Sequence, residues 1–116
     1  MKVALNTDYQ KAELLRAAKL TRDTAISSDI TVFDVIWQVN ENGRDNMRNA
    51  IETAVTLNLP VEEQRGWILS DNSIRPTTVE DLRQVLIAYT YRMDQIFQQY
   101  TIWRMSGANT VFVINQ

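Results

Sequence analysis

Val79, Leu82, Leu86, Tyr89, Met93, Ile96, Tyr100 and Trp103 recur at alternating spacings of 3 and 4. A seam of that regularity demands one helix of roughly 40 Å, at about 1.5 Å per residue. Thr77 and Thr78 each offer an N-cap, with Glu80 and Asp81 three residues on to close a capping box or its aspartate equivalent. Ser106-Gly107 supplies the stop near Met105. In a chain of 116 residues so long a helix dictates the rest. Either the other helices pack along it as a spine, or its late half, with Tyr100 and Trp103, is left for another chain. Two helices of ordinary length cannot cover all of it, and aromatics left uncovered suggest an interface.

The remaining segments are shorter. A first helix is expected from about Thr7 to Thr24, with Asn6 or Thr7 as N-cap and Leu14, Ala17, Ala18, Thr21 and Ala25 on one face. Residues 26–39 are rich in β-branched and aromatic types and read as two short strands broken near Asp34. Asn40-Glu41-Asn42-Gly43 reads as a turn. A second helix is expected over about Arg44 to Leu59, burying Met47, Ile51, Ala54 and Val55 and ending before Pro60. Trp67-Ile68-Leu69 forms a short strand closed by the turn Ser70-Asp71-Asn72-Ser73. The fold class is α+β: three helices, the last long and heptad-patterned, with a small antiparallel sheet. Residues 1–107 form a single domain and 108–116 a strand-like tail.

Composition narrows the chemistry. The sequence holds no cysteine and no histidine. That excludes thiol nucleophiles, Ser-His triads, disulfides and the usual structural zinc sets. Acids and bases nearly balance, 14 against 12, and neither half is biased, which argues against a nucleic-acid face. No apolar run reaches the roughly 18 residues of a membrane span, and the N-terminal stretch turns polar at Asn6, against a signal-peptide core. Asp71, Asn72 and the acids and amides around Gly43 do not match a calcium-loop spacing. Paired acids such as Glu62-Glu63 and Glu80-Asp81 are explained by solvation and capping. Trp37, Trp67 and Trp103 read as core tryptophans in preference to a stacking platform. No catalytic residue, cofactor or metal is expected.

Trp67-Ile68-Leu69-Ser70-Asp71-Asn72, followed by Thr78-Val79-Glu80-Asp81-Leu82, resembles a family of uncharacterised domains recurring in tailed-phage and prophage tail and tail-fibre-related proteins. The resemblance spans roughly residues 11–105, with a basic helix, an aromatic hairpin and an amphipathic helix over 11–25, 30–39 and 44–59. Two departures stand out: residues 28–40 hold no glycine where that family has a Gly-rich hairpin, and Thr77 fills an apolar position. The resemblance implies a tail context and names no catalytic residue.

The expectation is a tail-associated structural or assembly protein. It would bind a tail-fibre or baseplate component, either retained in the virion tail or acting in the host cytoplasm as a fibre-assembly chaperone. The alternative is a small coiled-coil regulatory or adaptor protein, possible as a homo-oligomer and unrelated to virions. Partner-binding residues are expected late in the chain: Tyr100 and Trp103 on the seam, then Val111, Phe112, Val113 and Ile114. Those last four would form a strand adding to another chain's sheet, Val111 and Val113 facing one side and Phe112 and Ile114 the other. Asp71 and Asn72 are expected to clamp the start of the third helix.

Overall fold

Residues 2–27 lack proline and glycine and are rich in alanine, leucine and lysine, so nothing in them interrupts a helix. A computed structural model describes residues 2–115, with side chains from Thr7 onward. It places α1 over Lys2–Ser27, β1 over Ile30–Val32, β2 over Val35–Trp37, α2 over Glu41–Thr56, β3 over Arg65–Ile68, β4 over Ile74–Thr77 and α3 over Val79–Met105. The class is α+β, with three helices and two separate two-stranded antiparallel sheets among the described residues. Contacts divide the chain into two units. One joins α1 to the residues from Arg92 on; the other spans Ser27–Tyr91. The boundary expected at residue 107 is not where the contacts divide.

In the unit spanning Ser27–Tyr91, β1 and β2 form a hairpin registered Ile30 to Trp37, Thr31 to Ile36 and Val32 to Val35. Phe33 and Asp34 make its two-residue turn, both with positive φ (56° and 61°). That is the primed geometry matching the right-handed twist of paired strands. The hairpin closes over the fully buried Trp37, whose Nε1–H donates to Val32 O at 2.9 Å. Trp37, Val39, Met47, Ala54, Leu69, Leu82, Val85 and Tyr89 are the unit's buried apolar residues.

The expected turn at Asn40–Gly43 is instead the start of α2. Asn40 is its N-cap, and its side chain accepts the Gly43 N–H at 2.8 Å. Gly43 sits in the first helical turn because a Cβ there would lie 2.3 Å from Gln38 O. Its presence in a turn-like cluster reflects this close approach. The helix ends in a Schellman motif: Asn58 takes positive φ, Asn58 N–H donates to Val55 O, and Leu59 N–H to Ala54 O. Of the expected stripe, Met47 and Ala54 are buried and Ile51 half-buried, but Val55 is exposed.

In the other unit, α1 begins upstream of its expected caps and runs through Asn6 and Thr7. Leu14, Leu15 and Ala18 meet Tyr100, Trp103 and Phe112 in one apolar cluster. Ala17 and Thr21 are exposed; Leu15 and Arg22 take the inward places expected of them. Arg92 Nη2–H donates to Ile26 O at 2.7 Å, so a cation from α3 serves a C-terminal carbonyl of α1, whose own last turn has no basic residue.

α3 ends at Gly107 (φ 108°) in a second Schellman motif, with Gly107 N–H to Arg104 O and Ala108 N–H to Trp103 O. The chain then turns back along α3. Trp103 Nε1–H donates to Thr110 O at 3.0 Å. The Gln99 amide makes two bonds with Asn115, Nε2–H to O at 2.9 Å and Oε1 from N–H at 2.8 Å. The expected C-terminal strand is therefore an extended segment without a strand partner among the described residues. Its sequence alternation suits either role, and helix side chains satisfy part of its backbone instead of a sheet.

Candidate functional site

The residues expected to bind a partner divide sharply by exposure. Tyr100, Trp103 and Phe112 are buried at 7%, 8% and 5% exposure. Their rings form a closed triangle, with centroids 5.8 Å apart for Tyr100–Trp103 and 5.7 Å for each ring to Phe112. Arg22 covers Tyr100 from α1, its guanidinium 4.6 Å from the ring centroid. Ile114 is half-buried against this cluster. Val111 and Val113 face out, at 71% and 65% exposure. The expected alternation of faces is present, but the inner face is filled by the chain itself. The seam on α3 is likewise used internally: Leu82, Tyr89, Ile96, Tyr100 and Trp103 are buried, and Val79, Leu86 and Met93 half-buried.

A different surface stands out in the unit spanning Ser27–Tyr91. β3 and β4 pair Arg65 with Thr77, Gly66 with Pro76, Trp67 with Arg75 and Ile68 with Ile74. Alternation puts Thr77 in the core and half-buries Trp67 and Arg75, while Gly66, Ile68, Ile74 and Pro76 form the outer face. Ile68 and Ile74 lie opposite each other, 63% and 69% exposed. The neighbouring hairpin adds Ile36, 52% exposed, and the two hairpins are joined where Ser70 N–H donates to Ile36 O at 3.1 Å. Ser70 Oγ also hydrogen-bonds to the Asp29 carboxylate.

This platform is held rigidly. Leu69 and Ser73 close the β3–β4 turn with Asn72 at positive φ, a three-residue hairpin loop. Asp71 Oδ1 accepts from Ser73 N–H at 2.9 Å and Ser73 Oγ–H at 2.6 Å, which holds its carboxyl below the usual range. Asp71 and Asn72 thus fix their own hairpin, where a clamp on the third helix was expected; a side chain this short reaches the backbone two residues on.

The helix start is fixed by Thr78 and Asp81, as the capping pattern implied. Thr78 Oγ1 accepts from Asp81 N–H, and Asp81 Oδ2 from Thr78 N–H, both at 3.1 Å. Arg75 joins β4 to this cap, donating to Asp81 Oδ2 at 3.1 Å, with its guanidinium 5.1 Å from the Phe33 ring and 5.5 Å from Trp37.

Burial pushes the Asp81 carboxyl up, but the bonds from Thr78 and the Arg75 cation outweigh it and leave it below the usual range. A carboxyl lowered in the folded state contributes fully above its unfolded value. That contribution is lost as pH falls through the lower folded value. Asp81→Asn is therefore expected to cut stability at neutral pH and to flatten the acid-side decline. Urea midpoints measured from pH 7 downward would show parallel curves for the two proteins if the carboxylate has no such role.

The β4 strand and its outer face were missed in the sequence because Pro76 argues against a strand. The signal was present in Ile68 and Ile74 flanking the turn residues 70–73. Among the described residues, no group of three or more His, Cys, Asp or Glu could hold a metal ion. No helix there is long and apolar enough to cross a membrane.

A family described as a domain of unknown function, DUF4376, matches residues 9–106. No curated protein and no solved structure matches the chain.

Proposed function

This chain belongs to the DUF4376 family, and on that premise we propose that it is a non-catalytic phage or prophage tail protein that binds a tail-fibre or baseplate component. The tail context rests on the resemblance carried by Trp67–Asn72 and Thr78–Leu82. The observation that carries the binding role is the outer face of β3–β4, where Ile68 and Ile74 stand exposed side by side on a hairpin anchored at both ends. Burying such a side chain contributes about 1.5–3 kcal/mol, so the pair can act as a small anchor. The protein works either as an adaptor retained in the virion tail or as a transient fibre-assembly chaperone in the host cytoplasm.

The test is deletion in the encoding phage or prophage, complemented with wild type or with the double variant Ile68→Ser, Ile74→Ser. Wild type is expected to restore fibre-bearing particles, and the double variant to restore them at least tenfold less well while remaining folded by circular dichroism. Fibre-bearing particles formed normally without the protein would end the tail reading; full rescue by the double variant would move binding off this hairpin. Mass spectrometry of purified particles separates adaptor from chaperone.

A further inference from the structure

We propose that the free edge of β3 accepts an extended, uncharged peptide segment of a partner protein as an added strand. The inference rests on the protein-binding reading above and gives it a mode of recognition. Ladder parity supplies the first argument. Leu69 N–H donates to Ser73 O at 2.8 Å. In an antiparallel pair this makes Leu69, Trp67 and Arg65 turn their backbone groups toward β4, while Gly66 and Ile68 turn theirs away. Ser70 shares that outward direction, and its N–H is already taken by Ile36 O at 3.1 Å. The first hairpin therefore covers the β3 edge at its turn end.

Past Ser70 the edge borders an open groove of about 500 Å³, lined by Gln38, Gly43, Asn46, Gly66, Trp67 and Ile68. The opposite edge of the sheet is treated differently. Pro76, paired with Gly66, occupies an outward position on β4 and has no N–H to offer. Soluble proteins protect edge strands by such means. Here one edge is blunted and the other is left with two consecutive outward positions open.

The groove's chemistry selects the occupant. No charged side chain lines it. Gln38 and Asn46 also line it, and their side-chain amides are each both donor and acceptor, as the second edge of an incoming backbone requires. A strand seated there pairs with Gly66 and Ile68 on one side and meets the amides on the other. Its alternate side chains lie beside Ile68 and Ile74 on the outer face, which favours apolar residues at every second position. A second copy of β3 would bring its own hairpin and groove wall, whereas the space beside Gln38 and Asn46 suits a single chain.

The probe is a random linear peptide library displayed on a carrier and selected on the full-length protein, followed by affinities of the enriched synthetic peptides. Ile68→Pro removes the outward N–H while leaving the inward ladder, as Pro76 does on β4. Ile68→Thr keeps the N–H and removes apolar surface. Enriched peptides are expected to alternate apolar and polar residues, to lose at least tenfold in affinity to Ile68→Pro, and to lose about threefold or less to Ile68→Thr. Should Ile68→Pro fail to fold, peptides N-methylated at successive positions replace it, with loss expected at alternate positions only.

Failure to enrich peptides, equal binding to Ile68→Pro, or a larger loss with Ile68→Thr than with Ile68→Pro overturns the proposal. So does self-association abolished by Ile68→Pro, which would assign the edge to a second copy. Because the probe is independent of any tail component, a negative tail assay with peptide binding intact would remove the tail context and leave the strand site standing.

Discussion

Phe112→Ala is expected to lower stability by about 3–5 kcal/mol, the usual cost of deleting a buried aromatic side chain. Phe112 is 5% exposed and packs edge-on to Tyr100, with ring planes at 88°, while also touching Trp103. Its loss would leave a cavity lined by two large rings, both fixed by further bonds: Trp103 Nε1–H donates to Thr110 O, and Tyr100 OH accepts from the Arg104 guanidinium. Such a site collapses poorly, which favours the upper part of the range. Val113→Ala, one residue on and 65% exposed, is the control and should stay within about 0.5 kcal/mol. Urea unfolding of the two variants beside wild type decides the matter; near-equal midpoints would show that the C-terminal segment leaves this cluster in solution. On the same grounds, removing residues 108–116 should damage the fold of the unit built on α1 and the end of α3.

That result would reverse what the sequence suggests about residues 110–114. Alternating β-branched and aromatic residues after a helix stop describe a strand seeking a sheet, and they equally describe an extended chain laid along a helix. Periodicity reports which side chains share a face, and it did so correctly for Val111 and Val113 against Phe112 and Ile114. It carries no information on what covers the inner face. Here the decisive partners are Gln99 and Trp103, whose polar atoms reach Asn115 and Thr110 across 16 and 7 residues of sequence.

Local chemistry was legible where it is self-contained. The Thr78–Asp81 cap, the Gly107 stop and the break near Asp34 all depend on residues within a few positions of one another. The long seam also stated correctly that α3 has one apolar face. Its division between two units was not legible, because a heptad pattern is the same whether one partner or several lie along it. The β3–β4 platform was half-visible: Trp67-Ile68-Leu69 and its turn were readable, but Pro76 concealed β4. Proline is excluded only from positions whose N–H enters the ladder, and register alone reveals that Pro76 points outward.

The second large effect belongs to the hairpin unit. Trp37→Ala is expected to cost about 3–5 kcal/mol, and Trp37→Phe distinctly less. Trp37 has no exposed surface and ends β2, so its ring fixes both the hairpin's inner face and the position from which Val39 enters the core, itself fully buried. Truncation to alanine removes the ring, the contact with the Arg75 guanidinium and the Nε1–H bond to Val32 O. Phenylalanine keeps an aromatic ring for packing and for Arg75 and loses the hydrogen bond, a net effect of about 0.5–1.5 kcal/mol plus the missing volume. Amide hydrogen exchange adds a local readout. The amides of Val35, paired with Val32 in the first hairpin, and of Trp67 should lose protection in Trp37→Ala, because Ser70 links the two hairpins through Ile36 O. Unchanged protection at Trp67 would show that the β3–β4 platform holds its shape without the first hairpin. The anchoring would then reside in Arg75, Thr78 and Asp81 alone.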